Sequence, residues 1–298
     1  MQQREYYAAE FAAQREFLWG VCYRMTGCAA DADDLVQETF VRLLEHPPQY
    51  HETSPLPLRP WLVRVAMNAS RDALRRRRRR HYIGPWLPSP IETGDLTAEP
   101  APPSYEPTLT DGVTTDGRYD LLESVSFVFL LALEALTPQQ RAVLLLRDVF
   151  DYSVRDTAVA LDIKEPTVKT THHRARQAMR AYDQHRCVPT ATLQEQTREA
   201  LGQLITSLVE GDMHTIEQLL AGSVQALNDS NGEFFAARVP LIGPQRVAHF
   251  HRNIVQRRLR NAQFTVQMLN GLPAMVLSYT TTKTCLLYTS PSPRDEKV

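Results

Sequence analysis

The sequence has no uncharged apolar run of about 18 residues or more, so no membrane-spanning helix is expected. Its first residues lack the basic-then-apolar order of an export signal, and the cytoplasm is the expected location. Cysteine is scarce: Cys22, Cys28, Cys187 and Cys285 are scattered and form no CxxC pair. Neither a zinc site nor a disulfide framework is expected, and the cysteines read as small core residues. No nucleophile, metal or cofactor motif accompanies the histidines, so nothing indicates an enzyme or a bound cofactor. What is present is hydrophobic content of 43%, enough for real cores, in a chain of 298 residues that suits two or three domains.

The net charge of -1 hides block separation. Met1–Leu58 carries four basic and nine acidic residues, Arg59–Arg80 nine basic and one acidic, and Leu87–Ser124 one basic and eight acidic. Such separation implies distinct surfaces for distinct partners.

Helical periodicity runs from about Ala8 to Met25, through Phe11, Leu18 and Cys22, and Gly27 ends it. Asp31 reads as the cap of a second helix with Ala32, Leu35, Val36, Phe40 and Leu43 on one face, stopped by Pro47-Pro48. Pro60 suits the first turn of a third, whose apolar positions Leu62, Val65, Ala66 and Ala69 run into six arginines, Arg75–Arg80. Seven prolines between Pro85 and Pro107, with excess acid and little periodicity, mark a linker over 82–120. Helical period resumes at Leu121. Thr137-Pro138-Gln139-Gln140 is a capping box with proline at the first helical position. Ser153 caps a short helix to Leu161, Asp162-Ile163 makes a tight turn, and Glu165-Pro166 opens a longer helix to about Tyr182. Beyond Pro189 the pattern becomes α+β: helices at Leu193–Val209, Met213–Leu220 and Gln245–Arg258, and β-prone stretches at Ser223–Leu227, Phe234–Val239, Gln263–Leu269 and Ala274–Thr281.

Three features carry functional meaning. Leu161–Lys169 has the short helix, short turn and second helix of a helix-turn-helix. The second helix and its lead-in hold Lys164, Lys169, Arg174, Arg176 and Arg180 against Glu165 alone, and Thr167, Lys169, Thr170 and His173 can reach bases or phosphates from its first turns. On spacing alone, an ordinary hairpin with a solvated basic face stays open. Second, the arginine run extends a helix and not a tail. It places Asn68, Arg71, Asp72, Arg75 and Arg76 on neighbouring turns, with phosphate affinity at its end. Trp61 fits a stacking platform or a core position. Third, Asp31, Asp34, Gln37 and Glu38 lie on an acidic helix that would repel DNA and suits a basic protein partner, or is simply solvated.

The segments "DADDLVQETFVRLL", "RPWLVRVAMNASRDALRR" and "LTPQQRAVLLLRDVFDYSVRDTAVALDIKEPTVKTTHHRARQAM" resemble extracytoplasmic-function (ECF) sigma factors of the sigma-70 family. The resemblance implies two all-α modules, region 2 at 8–81 and region 4 at 121–186, and binding to core RNA polymerase and promoter DNA. It implies that Asp31, Asp34, Gln37 and Glu38 face the polymerase. Trp61, Asn68, Arg71, Asp72, Arg75 and Arg76 would melt and read the -10 element as single strand. The helix carrying Glu165, Thr167, Lys169, Thr170, His173, Arg174 and Arg176 would read the -35 element as duplex. The linker would thread through polymerase. Where the family usually has glycine in the helix-turn-helix turn this sequence has Asp162, and aspartate tolerates left-handed backbone. "TTHH" at Thr170–His173 departs from the commonest recognition sequence, which bears on the promoter read and not on the role.

From Leu193 the chain resembles the SnoaL-like (NTF2-like, α+β cone) domain fused to certain ECF factors, through "LNDSNGEFFAARVPLIGPQRVAHF" and "NGLPAMVL". That implies an incomplete cone over 193–284 that modulates the sigma modules. Asp212, His214, His249 and His251 are candidates to line its apolar pocket, set against a degenerate pocket used for domain contacts. Two further readings stay open: a stand-alone helix-turn-helix regulator, for which the acidic and arginine-rich helices have no use, and an NTF2-like enzyme with a regulatory front half. The tail 285–298 has no counterpart in the family, and Cys285–Asp295 resembles a translated sequencing adapter. Resequencing the locus from an independent library is expected to give a different continuation after Thr284; the same eleven residues in native context would overturn this.

Overall fold

The computed structural model describes residues 2–48, 58–79, 86–94, 118–229, 237, 239–258, 263–278 and 285–287. These form two compact units. The first holds the described parts of Met1–His81, Pro88–Pro90 and Tyr105–Gln184; the second holds those of Tyr82–Leu87, Ile91–Ser104 and His185–Val298.

The first unit is all-helical. α1 (Gln2–Thr26), α2 (Ala29–Glu45) and α3 (Leu58–Arg79) pack on one another around Leu18, Cys22, Met25, Leu35, Val36, Leu43, Leu62 and Ala66. Asp31 does not cap α2. The helix starts three residues earlier with Cys28 at the cap position, because the left-handed Gly27 (φ 67°) turns the chain at once. Asp31 sits in the first turn instead, where its charge complements the helix dipole.

A short 3-10 turn (Glu123–Val125) leads to α4 (Phe127–Ala132), a second 3-10 turn (Leu133–Ala135), α5 (Pro138–Asp148), α6 (Val154–Leu161), α7 (Glu165–Ala178) and α8 (Arg180–Gln184). The capping box forms as expected: the Thr137 hydroxyl accepts from the Gln140 amide, and the Gln140 side chain accepts from the Thr137 amide. Ser153 caps α6. The expected helix from Glu165 breaks at Met179 into α7 and α8. α5, α6 and α7 pack on one another, and α3 packs against both α5 and α6. The two helical halves therefore share one core.

In the second unit α9 (Ala191–Glu210) lies on β4, and α10 (Met213–Leu219) lies against α9 and α11 (Pro244–Arg258). β1 (Gln225–Ala226) pairs with β2 (Leu241–Ile242), a much shorter strand than Ser223–Leu227 implied. Of the expected strand at Phe234–Val239 only residues 237 and 239 are described, and neither belongs to a strand; residues 82–85 and 95–117 of the linker lie outside the described residues. β3 (Gln263–Leu269) and β4 (Leu272–Ser278) form a hairpin over the left-handed pair Asn270-Gly271. Linker residues dock on it: Ile91 and Asn270 exchange hydrogen bonds, and the Thr93 amide donates to the Met268 carbonyl. β5 (Cys285–Leu287) pairs with the other edge of β4. An open strand edge accepts any β-prone segment, so this pairing carries no information about where the tripeptide came from.

Asp162 adopts φ 53°, ψ 51°, the left-handed conformation its place in the helix-turn-helix demands. Asp162→Gly removes the Cβ strain and is expected to raise stability by about 0.5–1 kcal/mol. Urea unfolding monitored by helix content checks this; Asp162→Val should shift the midpoint the other way.

Candidate nucleic-acid interface

α7 is buried along Val168 and Ala175. Glu165, Thr167, Lys169, Thr170, His173, Arg174 and Arg176 are all exposed on its remaining surface. The helix opens with Pro166 in its first turn and Lys164 at its cap position. The seven residues expected to meet duplex DNA thus share one element with a solvent-facing side. Arg176 differs from the rest: its Nε and Nη2 donate to the two oxygens of Asp148 at 3.0 and 2.7 Å. His172 donates to the same carboxylate at 2.9 Å.

On α3, Trp61, Asn68 and Arg71 are half-buried, and Asp72, Arg75 and Arg76 are exposed. Asn68 Oδ1 accepts from Arg71 at 3.0 Å, and the same guanidinium nitrogen reaches the Leu161 carbonyl at the end of α6 (3.4 Å). Burial first, then the neighbouring Arg75 charge, lowers the pKa of Arg71. Arg75 pairs with Asp72 at 2.9 Å, both half-exposed.

The arginine run is divided in a way its sequence does not reveal. Arg77 donates to the Thr26 carbonyl (2.6 Å) and to Glu134 Oε1 (2.7 Å), and Arg78 donates to the Leu136 carbonyl. Arg76 and Arg79 face solvent, and Arg80 lies outside the described residues. Glu134 Oε1 also accepts from Arg141 (2.6 Å), whose other bonds go to the Met25 and Leu133 carbonyls. Arg141 is 1% exposed, the largest fully buried side chain among the described residues. Burial opposes the charged form of Glu134, but Arg141 and Arg77 outweigh it and hold the carboxyl below its usual range. Arg24 completes the arrangement, donating to Ser124 Oγ and the Leu121 carbonyl; burial pulls its pKa down to about 10.

Sequence reasoning missed Arg24, Glu134, Arg141, Asp148 and His172. The one available signal was Arg141, a charge between Gln140 and the apolar run Ala142–Leu146; its partners are 116 and 7 residues away and cannot be read from spacing.

On α2, Asp34 and Gln37 are exposed, and Asp31 and Glu38 are half-exposed, with Glu38 paired to Arg42 at 2.5 Å. Val41 and Leu44 extend the same helix as exposed apolar residues, 49% and 42%. The acidic and polar candidates of α2 thus share their helix with two exposed apolar side chains.

The four candidate pocket residues of the second unit do not assemble a catalytic group. Asp212 caps α10, accepting from the His214 and Thr215 amides. His214 bonds Gln218, His249 is exposed, and His251 donates Nδ1–H to the Val247 carbonyl of its own helix. Among the described residues no cluster of histidine, cysteine and carboxylate could hold a metal, and no helix is long and apolar enough to cross a membrane.

Family models place Sigma-70 region 2 at residues 11–80 and Sigma-70 region 4 at residues 126–179. The chain is 32% identical over 251 residues to the ECF RNA polymerase sigma factor SigJ of Mycobacterium tuberculosis, spanning 84% of this chain and 73% of SigJ. It is 36% identical over 183 residues to SigG of the same organism, spanning 59% of this chain and 48% of SigG. The crystal structure of SigJ superposes with a TM-score of 0.61 at 26% identity, covering 94% of this chain and 88% of that one.

Glu134 and Asp148 both have lowered carboxyl pKa values. The stability they confer is therefore full above the ordinary carboxylate range, about pH 4–4.5, and is lost as pH falls through their lower folded values. Glu134→Gln leaves Arg141 buried without a counter-charge. The expected loss is about 2 kcal/mol at pH 7, below the figure for a fully buried pair because Glu134 is a third exposed. It should also flatten the acid limb of the stability curve. Urea titrations from pH 3 to 7 measure both.

Proposed function

The chain belongs to the ECF sigma factors of the sigma-70 family, which direct promoter-specific transcription initiation by RNA polymerase, and we propose how its residues divide that work. α7 reads the -35 duplex through Glu165, Thr167, Lys169, Thr170, His173 and Arg174. The observation that carries this is the exposure of all six on one helix, held in a helix-turn-helix by a left-handed Asp162. α3 melts and reads the -10 strand through Trp61, Asn68, Arg71, Asp72, Arg75 and Arg76. α2 docks on core polymerase through Asp31, Asp34, Gln37 and Glu38, and the exposed Val41 and Leu44 supply apolar contact beside them. The protein works in the cytoplasm, where polymerase and promoter are.

Reading both elements requires the helical halves to part. Their labels put them about 25 base pairs apart, roughly 85 Å of duplex at about 3.4 Å per step. In the structure Arg71 bonds the end of α6, and Arg77 and Arg78 bond the segment before α5. Polymerase binding supplies the free energy for separation, and the second unit, a SnoaL-like domain over 193–284, modulates it. We assign no role to 285–298.

Run-off transcription with core polymerase tests the reading. Added protein is expected to stimulate initiation from promoters it selects, and no stimulation would end it. Arg75→Glu with Arg76→Glu should lower open-complex formation at least tenfold with -35 duplex binding retained. Lys169→Gln with Arg174→Gln should do the reverse.

A further inference from the structure

The buried carboxylate of Asp148 stands in the last turn of α5, where the helix dipole disfavours a negative charge, and it is 2% exposed. A group so placed is stable only if it is well paired. Among the described residues its side-chain partners come from α7: a two-pronged bond from Arg176 and a single bond from His172, residues one helical turn apart on one face. The backbone carbonyl of the same residue accepts from the Tyr119 amide, a further anchor on Asp148.

Within α7 the buried side chains are the small Val168 and Ala175, with Met179 buried at the C-cap. Small smooth contacts let a helix settle in more than one orientation, whereas a forked arginine–carboxylate bond has one geometry. A turn of the helix by one residue is about 100°. It would carry Lys169 and His173 off the solvent-facing side and put their neighbours in the groove.

We propose that Asp148 is the positioning residue of the -35-reading helix, fixing its rotation through His172 and Arg176 and so selecting which side chains meet the bases. This rests on α7 being the -35 reader. Arg176 then changes role. Its charge is already neutralised by Asp148, so it is a strut of the helix and releases few counterions on DNA binding. Lys169 and Arg174, exposed on the outer side of α7, carry the phosphate contacts.

The test uses the full chain assembled with core RNA polymerase and a duplex library randomised across the -35 and -10 windows, since the promoter must first be found by selection. The unsubstituted holoenzyme is expected to select two blocks of sequence. Arg176→Gln and Asp148→Asn should lose at least tenfold of the preference for the selected -35 block over a scrambled one, with the -10 block as sharp as before. For Arg176→Gln, the slope of log affinity against log salt should stay unchanged. Arg174→Gln should reduce that slope by about 1. Arg176→Lys keeps the charge but not the fork, and should not restore preference.

If Asp148→Asn fails to fold, Arg176→Gln carries the test, because its side chain is 44% exposed. The proposal is overturned if Arg176→Gln keeps the -35 preference and loses salt slope as Arg174→Gln does, with Arg176→Lys restoring affinity. It is overturned together with the -35 reading if the unsubstituted holoenzyme selects a -10 block and no -35 block.

Discussion

The last carbonyls of α1 are the constraint on which the helical unit depends. A helix end leaves its final carbonyls without intrahelical donors and carries partial negative charge. Here Met25 and Thr26 receive guanidinium groups from two other elements, Arg141 of α5 and Arg77 of α3. Both cations then share one oxygen of Glu134. A helix terminus, two arginines and one carboxylate thus tie together parts of the chain more than a hundred residues apart. Apolar packing around Leu62, Leu144 and Phe129 provides most of the burial, but it does not choose a partner so specifically.

That arrangement bears on how DNA is approached. An uninterrupted arginine run suggests a uniform polycation. In the folded chain its members differ: Arg75 is matched by Asp72, Arg77 and Arg78 are internal ligands for helix ends and Glu134, and Arg76 and Arg79 face water. Net positive charge is a poor guide to where phosphate would bind when half of it is already compensated. The same holds on α7, where Arg174 is open and Arg176 is held by Asp148.

The second unit is built differently. Its β-hairpin turns through two left-handed residues, Asn270 and Gly271, and linker residues Ile91 and Thr93 add backbone hydrogen bonds along it. A segment that reads as an acidic, proline-rich connector therefore contributes ordered structure where its described residues meet the hairpin. The buried side chain of Gln194 from α9 donates to the Gly271 carbonyl and closes the turn from the other side.

Local signals settled much of this protein. Apolar periodicity, the Thr137 capping box, the Ser153 cap and the short turn at Asp162 each act within a few residues, so the helices of both DNA-facing modules and the helix-turn-helix were legible, and three ordered motifs identified the family. The Asp31 cap failed because Gly27 turned the chain sooner than expected, a matter of three residues. The pairings of Arg141 with Met25 and Glu134, of Arg77 with Thr26, and of Asp148 with His172 and Arg176 were decided only by tertiary structure. A sequence states which residues carry charge. Which charges are buried together depends on how helices distant in the chain come to share one core, and desolvation then makes the choice of partner obligatory.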